Sequence, residues 1–257
     1  MTTPPAAPRA ATARERARAE LTREIKEEAR RQLAAAGAGG LSLRAVAREL
    51  GMVSSALYRY YPSRDDLLTA LIIDAYNALG AAAEQAAAGA GPARERWIAA
   101  CHAIRDWARS NPHEYALIYG SPVPGYRAPQ ATVGPAARVP LALVGVVRGA
   151  VSAGEYAAAD ALPVAGPLAG QAAALSAALS ASLALPGGAA APPGAREGDG
   201  AAVVVPPDAL VRAVIAWTQL FGMISFELFG QLVGSFEPAD ALFAHAVVQF
   251  AAFVGLR

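Results

Sequence analysis

The stretch that decides the fold is residues 41–64, LSLRAVARELGMVSSALYRYYPSR. Its first part carries apolar side chains at spacings i, i+3, i+4 and i+7, typical of one face of a short α-helix: Leu43, Val46, Ala47 and Leu50. Ser42 precedes this pattern and is predicted to cap the helix, because a serine oxygen can accept from a backbone N–H of the first turn. Gly51 is predicted to end the helix.

A second short helix is predicted over Ser54–Tyr60, anchored by Leu57 and closed by Pro62. Two short helices joined by a tight turn form a helix-turn-helix, in which the first holds the second at an angle that fits the major groove of DNA. The leading end of the second helix has small side chains that allow close approach, with hydroxyls for phosphates or base edges and a methyl for thymine: Ser54, Ser55 and Ala56. We therefore predict that these three residues contact DNA.

Further predicted DNA contacts flank this leading end. Tyrosine hydroxyls commonly bind phosphate, and arginine binds phosphate or guanine. A guanidinium at a helix start would act on a phosphate together with the helix dipole, and a serine and an arginine at the start of the preceding helix would act similarly. These criteria select Tyr58, Arg59, Tyr60, Arg64, Ser42 and Arg44.

At this point the sequence resembles the DNA-binding domain of the TetR family of bacterial transcriptional regulators. The resemblance covers roughly residues 18–76, with L-S-L-R-A-V-A-R-E-L-G followed by S-S-A-L-Y-R-Y-Y-P-S-R-D-D-L-L. It implies an all-α homodimer with a three-helix N-terminal DNA-binding domain and a larger C-terminal domain for ligand binding and dimerisation. The chain departs from the family pattern at Val53, where a Ser or Thr usually caps the recognition helix; the cap is either shifted to Ser54 or weak.

Outward from this stretch, helical patterns continue to both ends of the chain. A stripe of Leu21, Ile25, Ala29 and Leu33 predicts a first helix from about Thr12 to Gly37, with a Glu27–Arg31 pair on its exposed face. Ser63-Arg64-Asp65-Asp66 resembles a capping box and opens a long helix. No useful length alternates with a period of two, so we predict an all-α fold.

The predicted domains are a disordered arm over residues 1–12, a helix-turn-helix domain over 13–64 with the family module reaching about 76, and an effector-binding and dimerisation domain over 65–257. A flexible Ala/Gly/Pro linker is predicted over about 185–207. The last two helices are predicted from Pro207 to about Gly234 and from Pro238 to Leu256.

Composition and charge limit the function classes. The 257 residues are 54% hydrophobic and 17% charged, which is enough for a sizeable core. Residues 1–64 hold twelve basic and six acidic side chains, and the remaining 193 hold ten and fifteen. A basic head on a mildly acidic body suits a nucleic-acid-binding domain, although charge alone does not separate that reading from a solvated helix face.

Several classes are disfavoured. There is no G-x-S-x-G, P-loop or dinucleotide fingerprint, so we predict neither an enzyme nor a cofactor. One cysteine and three histidines leave little for a metal site, and neighbouring Cys101 and His102 point about 100° apart on a helix. We expect a cytoplasmic protein that does not bind membranes, because no secretory signal is visible and prolines interrupt the uncharged Ala161–Ala195 stretch.

A second, weaker resemblance lies in the C-terminal part. Asn111–Gly125, Trp217–Gly222 and Phe226–Gly230 look like one C-terminal subclass of this family, with Trp-x-x-x-x-Gly on the penultimate helix. In the family the last two helices of each subunit form the dimer's four-helix bundle, and here both are apolar nearly all round. The predicted interface residues are Trp217, Gly222, Glu227, Gly230, His245 and Phe250, with the two glycines permitting close helix approach.

Other side chains in this part admit two interpretations. Glu227 is either a ligand-facing carboxylate or, as we favour, a structural hydrogen-bond or ion-pair partner. A set of large side chains is either ordinary core or the lining of an effector cavity, and some members can be both. The candidate pocket residues are Trp97, Trp107, Tyr115, Tyr119, Phe221, Met223 and Phe226.

The resemblance implies a one-component regulator that binds palindromic operator DNA as a homodimer. It is expected to be a repressor that leaves the DNA when a small apolar effector binds. The effector would favour a state in which the two recognition helices are no longer about 34 Å, one DNA turn, apart. The alternative is a helical small-molecule binding protein without functional DNA binding.

Overall fold

The computed structural model describes residues 12–157, 163–183 and 203–257, and side chains in the middle range as far as residue 179. Within these ranges the chain forms ten α-helices and no strand, with one isolated bridge between Tyr156 and Leu256. The predicted all-α fold is confirmed. The helices are α1 (Ala13–Ala36), α2 (Leu43–Glu49), α3 (Ser54–Leu57), α4 (Arg64–Ala87), α5 (Ala93–Ser110), α6 (Pro112–Tyr119), α7 (Val133–Ala153), α8 (Gly166–Leu183), α9 (Pro207–Leu228) and α10 (Asp240–Val254).

The chain divides into two compact units. The first contains residues up to Ile72 together with Ser121–Pro129. The second contains Ile73–Gly120 and Gln130–Arg257. Ser121–Pro129 follows α6 in sequence but packs with the first unit, where the Tyr126 hydroxyl lies 2.9 Å from Thr69 Oγ1.

The core of the first unit grows from the apolar stripe of α1. Ile25, Ala29 and Leu33 are buried against the apolar faces of the short helices that follow. The predicted capping residues also act as expected: Ser42 Oγ accepts from Ala45 N, and Ser63 Oγ accepts from Asp66 N at 3.1 Å while donating to the Asp66 carboxylate at 2.7 Å. Local sequence signals therefore fix where these helices begin.

One predicted pair on α1 is wrong. Arg31 donates to Glu28 at 2.7 Å, one turn before it, and Glu27 instead pairs with Arg23. Glu28 is buried while its neighbour Glu27 is only partly covered, so Arg31 pairs with the acid that lies closer to the core.

Two predicted helices are shorter than expected. The third ends at Leu57, and Tyr58–Tyr60 continue as turns in which Arg59 N and Tyr60 N donate three residues back. The penultimate helix ends at Leu228 rather than near Gly234, because turns follow it and Gly230 and Gly234 both adopt positive φ.

The core of the second unit contains α5, α7, α9 and α10. Its largest fully buried side chains include Trp97, Tyr115 and Phe243. Arg105 of α5 is also buried and is bound by acids from α9 and α10. The edge of the core therefore holds a buried guanidinium whose network of partners extends to the exposed Asp240.

Three described helices are long and apolar enough to cross a membrane by length and composition alone: Arg64–Ala87, Gln130–Ala153 and Pro207–Leu228. Between 28% and 44% of their most apolar windows is buried within the protein. The predicted arm lies outside the described residues except for Thr12, which caps α1, and so do residues 184–202 of the predicted linker. Within the uncharged stretch, Gly166–Leu183 is helical.

Candidate nucleic-acid interface

The candidate interface is built by α2, the turn at Gly51 and α3. Gly51 has φ of 65°, a left-handed conformation that glycine adopts without the strain a Cβ introduces. Leu57 is buried at 1% relative exposure and anchors α3 through its inner face. Val53 occupies the N-cap position of α3 and supplies no side-chain hydrogen bond, so the helix starts without the cap that Ser or Thr would give.

The outer face of α3 and the turn after it is open to solvent. Ser54, Ser55 and Arg59 are exposed, and Tyr58 is 42% exposed. Ala56 and Tyr60 are partly buried, and Arg44 on α2 is exposed. Small hydroxyl-bearing side chains, two tyrosines and two guanidinium groups thus lie within one short segment and its supporting helix, a donor set that can bind phosphates and base edges.

Two predicted contact residues also form hydrogen bonds that stabilise the first unit. Arg64 donates through Nε to the Leu41 carbonyl at 3.1 Å and through Nη2 to the Ala38 carbonyl at 2.6 Å. This guanidinium therefore ties the start of α4 to the loop before α2. The Ser42 hydroxyl caps α2, and the Ser42 amide donates to Gln32 Oε1 at 3.2 Å.

Sequence reasoning treated Val53 only as a missing cap. The structure leaves its side chain 70% exposed directly ahead of Ser54. Two methyl groups at this place can contact the methyl of thymine, which makes Val53 a further candidate base contact. Its signal in the sequence was a branched apolar residue where a polar cap is usual.

The seven candidate pocket residues do not form one continuous lining. Tyr115, Tyr119 and Phe221 do come together, with the Tyr119 and Phe221 ring centroids 4.3 Å apart. Trp97 is fully buried, whereas Phe226 is 55% exposed because it lies on the outer face of α9. Trp107 and Met223 are partly buried against the core.

Two further aromatic residues, not predicted to line the pocket, contact the cluster of Tyr115, Tyr119 and Phe221. The Tyr76 ring meets Tyr119 edge-on at 5.9 Å, and Trp217 meets Phe221 edge-on at 6.0 Å. Burial raises the pKa of Tyr115 to about 12, and its hydroxyl lies 2.9 Å from Ser225 Oγ. Burial also raises the pKa of Tyr119. Both phenols are therefore neutral at physiological pH.

A separate apolar groove lies between α8 and α9 and has a volume of about 350 Å³. None of the seven predicted pocket residues lines it. Its walls are aliphatic apart from one amide, and are formed by Leu168, Gln171, Ala172, Leu175, Leu210, Val211, Val214 and Ile215.

The predicted interface residues fall into two groups. Gly222 and His245 are exposed on α9 and α10 and remain available to a partner. Trp217 and Phe250 pack against the core of their own chain instead. Gly230 has φ of 81° and follows the end of α9, so it terminates a helix rather than allowing two helices to approach.

Glu227 has partners within its own chain. Its two oxygens each accept from Arg105 at 2.7 Å, in a bidentate pair that also involves Arg109 at 3.7 Å. Asp240 accepts from both arginines at 3.0 and 3.2 Å. The hydrogen bonds that Arg105 donates to Glu227 raise the pKa of Arg105, and the one that Arg105 donates to Asp240 lowers the pKa of Asp240. These pairs support the structural interpretation of Glu227.

The described part of the chain holds no cluster of three or more His, Cys, Asp or Glu side chains suited to a metal ion. Cys101 is buried, and burial raises the pKa of its thiol. His102 beside it packs edge-on against Phe243 at 5.4 Å. Both residues therefore belong to the packing of α5.

An all-α chain with an exposed recognition segment held by a short supporting helix defines the helix-turn-helix class of DNA-binding regulators. Comparison with known families narrows this class. Residues 25–71 match the model of bacterial regulatory proteins of the tetR family, and residues 97–250 match the tetracyclin repressor-like C-terminal domain. The chain belongs to the TetR family of transcriptional regulators.

Individual relatives agree with this assignment. The HTH-type transcriptional regulator Rv1816 of Mycobacterium tuberculosis is 46% identical over 149 residues, which are 56% of this chain and 63% of that protein. The chain thus matches less than two thirds of this relative's length. A solved candidate regulatory protein, SCO4313, is 34% identical with a TM-score of 0.68, over 94% of this chain and 100% of that one. A Rhodococcus sp. RHA1 structure described as of unknown function is 25% identical with a TM-score of 0.63, over 92% and 95%.

Proposed function

We propose that this protein is a cytoplasmic repressor that binds a palindromic operator as a homodimer and leaves it when a small apolar effector binds. The observation that carries the proposal is the outward presentation of the α3 segment. Ser54, Ser55, Tyr58 and Arg59 are exposed while Leu57 anchors the same segment in the core. A segment held in this way can enter a major groove without unfolding any part of its support.

Within the proposed complex the contacts divide by chemistry. Val53 and Ser54 lead the segment and face base edges, while Tyr58 and Arg59 follow and bind phosphates. Arg44 binds the backbone from the start of α2. Arg64 contributes mainly by holding the loop before α2 in place, since two of its donors are already bound to carbonyls.

The test is a titration of the protein against the DNA upstream of its own gene at several salt concentrations. Wild type is expected to bind with an affinity that falls steeply with salt. Arg44→Ala is expected to make the slope of log affinity against log salt shallower by about one for each protomer. Tyr58→Phe is expected to weaken binding with little change in the fold. Wild-type affinity and slope in both variants would count against the proposed interface.

The homodimer is supported by the outer faces of α9 and α10. These helices pack against each other, and among the residues exposed along them only Asp240, the first residue of α10, is an Asp, Glu, Lys or Arg. An exposed face with almost no charged side chains, spread over two neighbouring helices, is typical of a surface that a partner covers. Beyond the first residue of each helix, the exposed residues are Val214, Ile215, Thr218, Gln219, Gly222 and Phe226 on α9, and Ala241, Ala244, His245, Gln249, Ala252 and Phe253 on α10.

We place the effector at the aromatic cluster of Tyr76, Tyr115, Tyr119, Trp217 and Phe221. Trp217 Nε1 is buried and has no acceptor among the described residues, so a ligand with one oxygen acceptor and a flat apolar body would satisfy it. An effector that releases the protein from DNA is expected to change the fluorescence of Trp217. Trp217→Phe is expected to remove that change and to weaken release, whereas Trp107→Phe keeps both.

A further inference from the structure

The first two turns of α1 extend beyond the body of the first unit. Ala13–Glu20 are all exposed, and the first buried residue of the helix is Ile25. This overhang is nevertheless a well-formed helix start, because Glu15 N donates to Thr12 Oγ1 and Thr12 N donates to Glu15 Oε2 at 2.7 Å. The overhang does not contribute to the core, so its side chains are available to a partner.

The overhang carries three arginines that no acid neutralises. Glu15 is bound to Thr12, and Glu20 is bound to Arg23, which also pairs with Glu27. Among the described residues no ion pair involves the remaining three guanidinium groups, which belong to Arg14, Arg16 and Arg18. The overhang is therefore a local positive patch whose acids are already engaged.

Helix geometry places two of these arginines on one face. At about 100° per residue, Arg14 and Arg18 lie within about 20° of the direction of Ile25, which is the stripe that packs on the core. Arg16 lies about 180° away from that stripe. Arg14 and Arg18 thus continue the inner face of α1 past the end of the core, toward the helix-turn-helix.

A direct contact confirms that this face reaches the recognition segment. The Arg18 guanidinium carbon lies 5.3 Å from the centre of the Tyr60 ring, at the end of the turns that follow α3. A guanidinium over a tyrosine face is held by cation–π attraction while its outer N–H groups remain free for another acceptor. The basic patch is therefore adjacent to the surface that would face DNA.

We propose that the α1 overhang is a second DNA-contacting element in which Arg14 and Arg18 bind the phosphate backbone beside the groove that α3 enters. The inference rests on the proposed function and extends it, because neither residue was among the predicted contacts. Charge complementarity identifies the partner as a nucleic-acid backbone: paired guanidinium groups without acids match neighbouring phosphates.

The test compares the double variant Arg14→Ala/Arg18→Ala and the single variant Arg14→Ala with the control Arg16→Ala. The control removes one guanidinium from the opposite face of the same turns and matches Arg14→Ala in charge. The probe is a labelled mixed-sequence duplex about three helical turns long, titrated between about 50 and 200 mM salt. We expect the double variant to bind about tenfold more weakly at low salt. Its slope of log affinity against log salt is expected to be shallower by about two for each bound protomer. The control is expected to stay within about twofold of wild type.

Arg14→Ala alone separates phosphate binding from support of Tyr60, because Arg14 makes no contact with that ring. It is expected to reduce the slope by about one for each protomer. Equal binding by wild type and the double variant, with normal thermal unfolding, overturns the second contact element and leaves the proposed function standing. Equal losses in the double variant and in Arg16→Ala overturn the assignment to one face. Salt-independent or absent binding by wild type overturns the proposed function as well.

Discussion

The Arg105 side chain is charged but only 4% exposed. Because it lies on α5 and is bound by acids of α9 and α10, the stability of the second unit depends on these ion pairs. Glu227 binds it through two parallel hydrogen bonds and Asp240 through a third. The attraction within a buried ion pair mainly offsets the cost of removing both charges from water, so its net contribution to stability is small. Removing one partner leaves the other charge buried and unpaired, which destabilises the fold by more than that net contribution.

Arg105→Met is expected to lower the free energy of unfolding by about 3 kcal/mol, because Glu227 then remains partly buried without its main partner. Chemical denaturation measures the change. Arg109→Met is the matched control, since Arg109 lies one turn further along α5, is 48% exposed and contacts the same two acids. It is expected to lose less than about 1 kcal/mol. Equal effects of the two substitutions would contradict the assigned importance of the buried guanidinium.

Asp240 gives this network a pH dependence. Arg105 holds the pKa of Asp240 below its ordinary value of 3.8, so the ionised form stabilises the fold above about pH 4. That contribution is lost as the pH falls through the lowered pKa. Asp240→Asn is therefore expected to be less stable than wild type at pH 7, with a gap that closes as the pH falls through that lowered pKa. Denaturation curves of wild type and Asp240→Asn at several pH values measure this gap, and a gap that does not change with pH would contradict the role assigned to Asp240.

At the scale of single elements, replacing either of two glycines by alanine is expected to change stability in opposite directions, although both have open space around them. Gly51 has φ of 65° in the turn between α2 and α3, whereas Gly145 lies inside α7, and a Cβ at either position meets no atom within 4 Å. Gly51→Ala is expected to destabilise by about 1 kcal/mol, because an L-residue is strained in that conformation. Gly145→Ala is expected to stabilise by up to about 1 kcal/mol, because alanine is the better helix former. Thermal unfolding midpoints that shift in the same direction would contradict this.

The local signals explain how much of the fold was predictable. Apolar spacing and caps such as Ser42 and Ser63 are encoded within a few residues, so the helix starts of the first unit follow from sequence alone. The end of α3 does not, because Tyr58–Tyr60 have ordinary helical propensity and the breaker at Pro62 lies several residues after the observed end at Leu57. The pairing of Arg31 with Glu28 rather than with Glu27 also depends on which acid is closer to the core.

The candidate site was predictable to a similar degree. The exposure of Ser54, Ser55 and Tyr58 follows from the amphipathic pattern that buries Leu57. The binding of Arg64 to two loop carbonyls involves residues more than twenty positions away, and no spacing rule reveals it. The position of Arg18 over Tyr60 is equally non-local, since it depends on the crossing of α1 and the recognition turns.

At the largest scale, binding to a palindromic operator requires two copies of the chain. Ile215→Glu places a charge in the middle of the uncharged α9 face and is expected to convert a dimer into a monomer in light scattering. DNA affinity is expected to fall by at least about tenfold, because one half-site then binds alone. Val133→Glu is the control, since Val133 is 53% exposed on α7, outside that face. A dimer that persists in Ile215→Glu, or an effect shared with the control, would contradict the assigned interface.

The most direct test of the central claim is selection of DNA from a random duplex library by the wild-type protein, followed by sequencing at increasing salt. We expect enrichment of an inverted repeat whose half-site centres lie about 34 Å, one helical turn, or a whole multiple of it apart. The same enrichment is expected to disappear when Ser54 and Ser55 are replaced by bulky acidic residues on a folded protein. A pool that stays random, or retention that does not depend on salt, would contradict the claim that the α3 segment reads DNA.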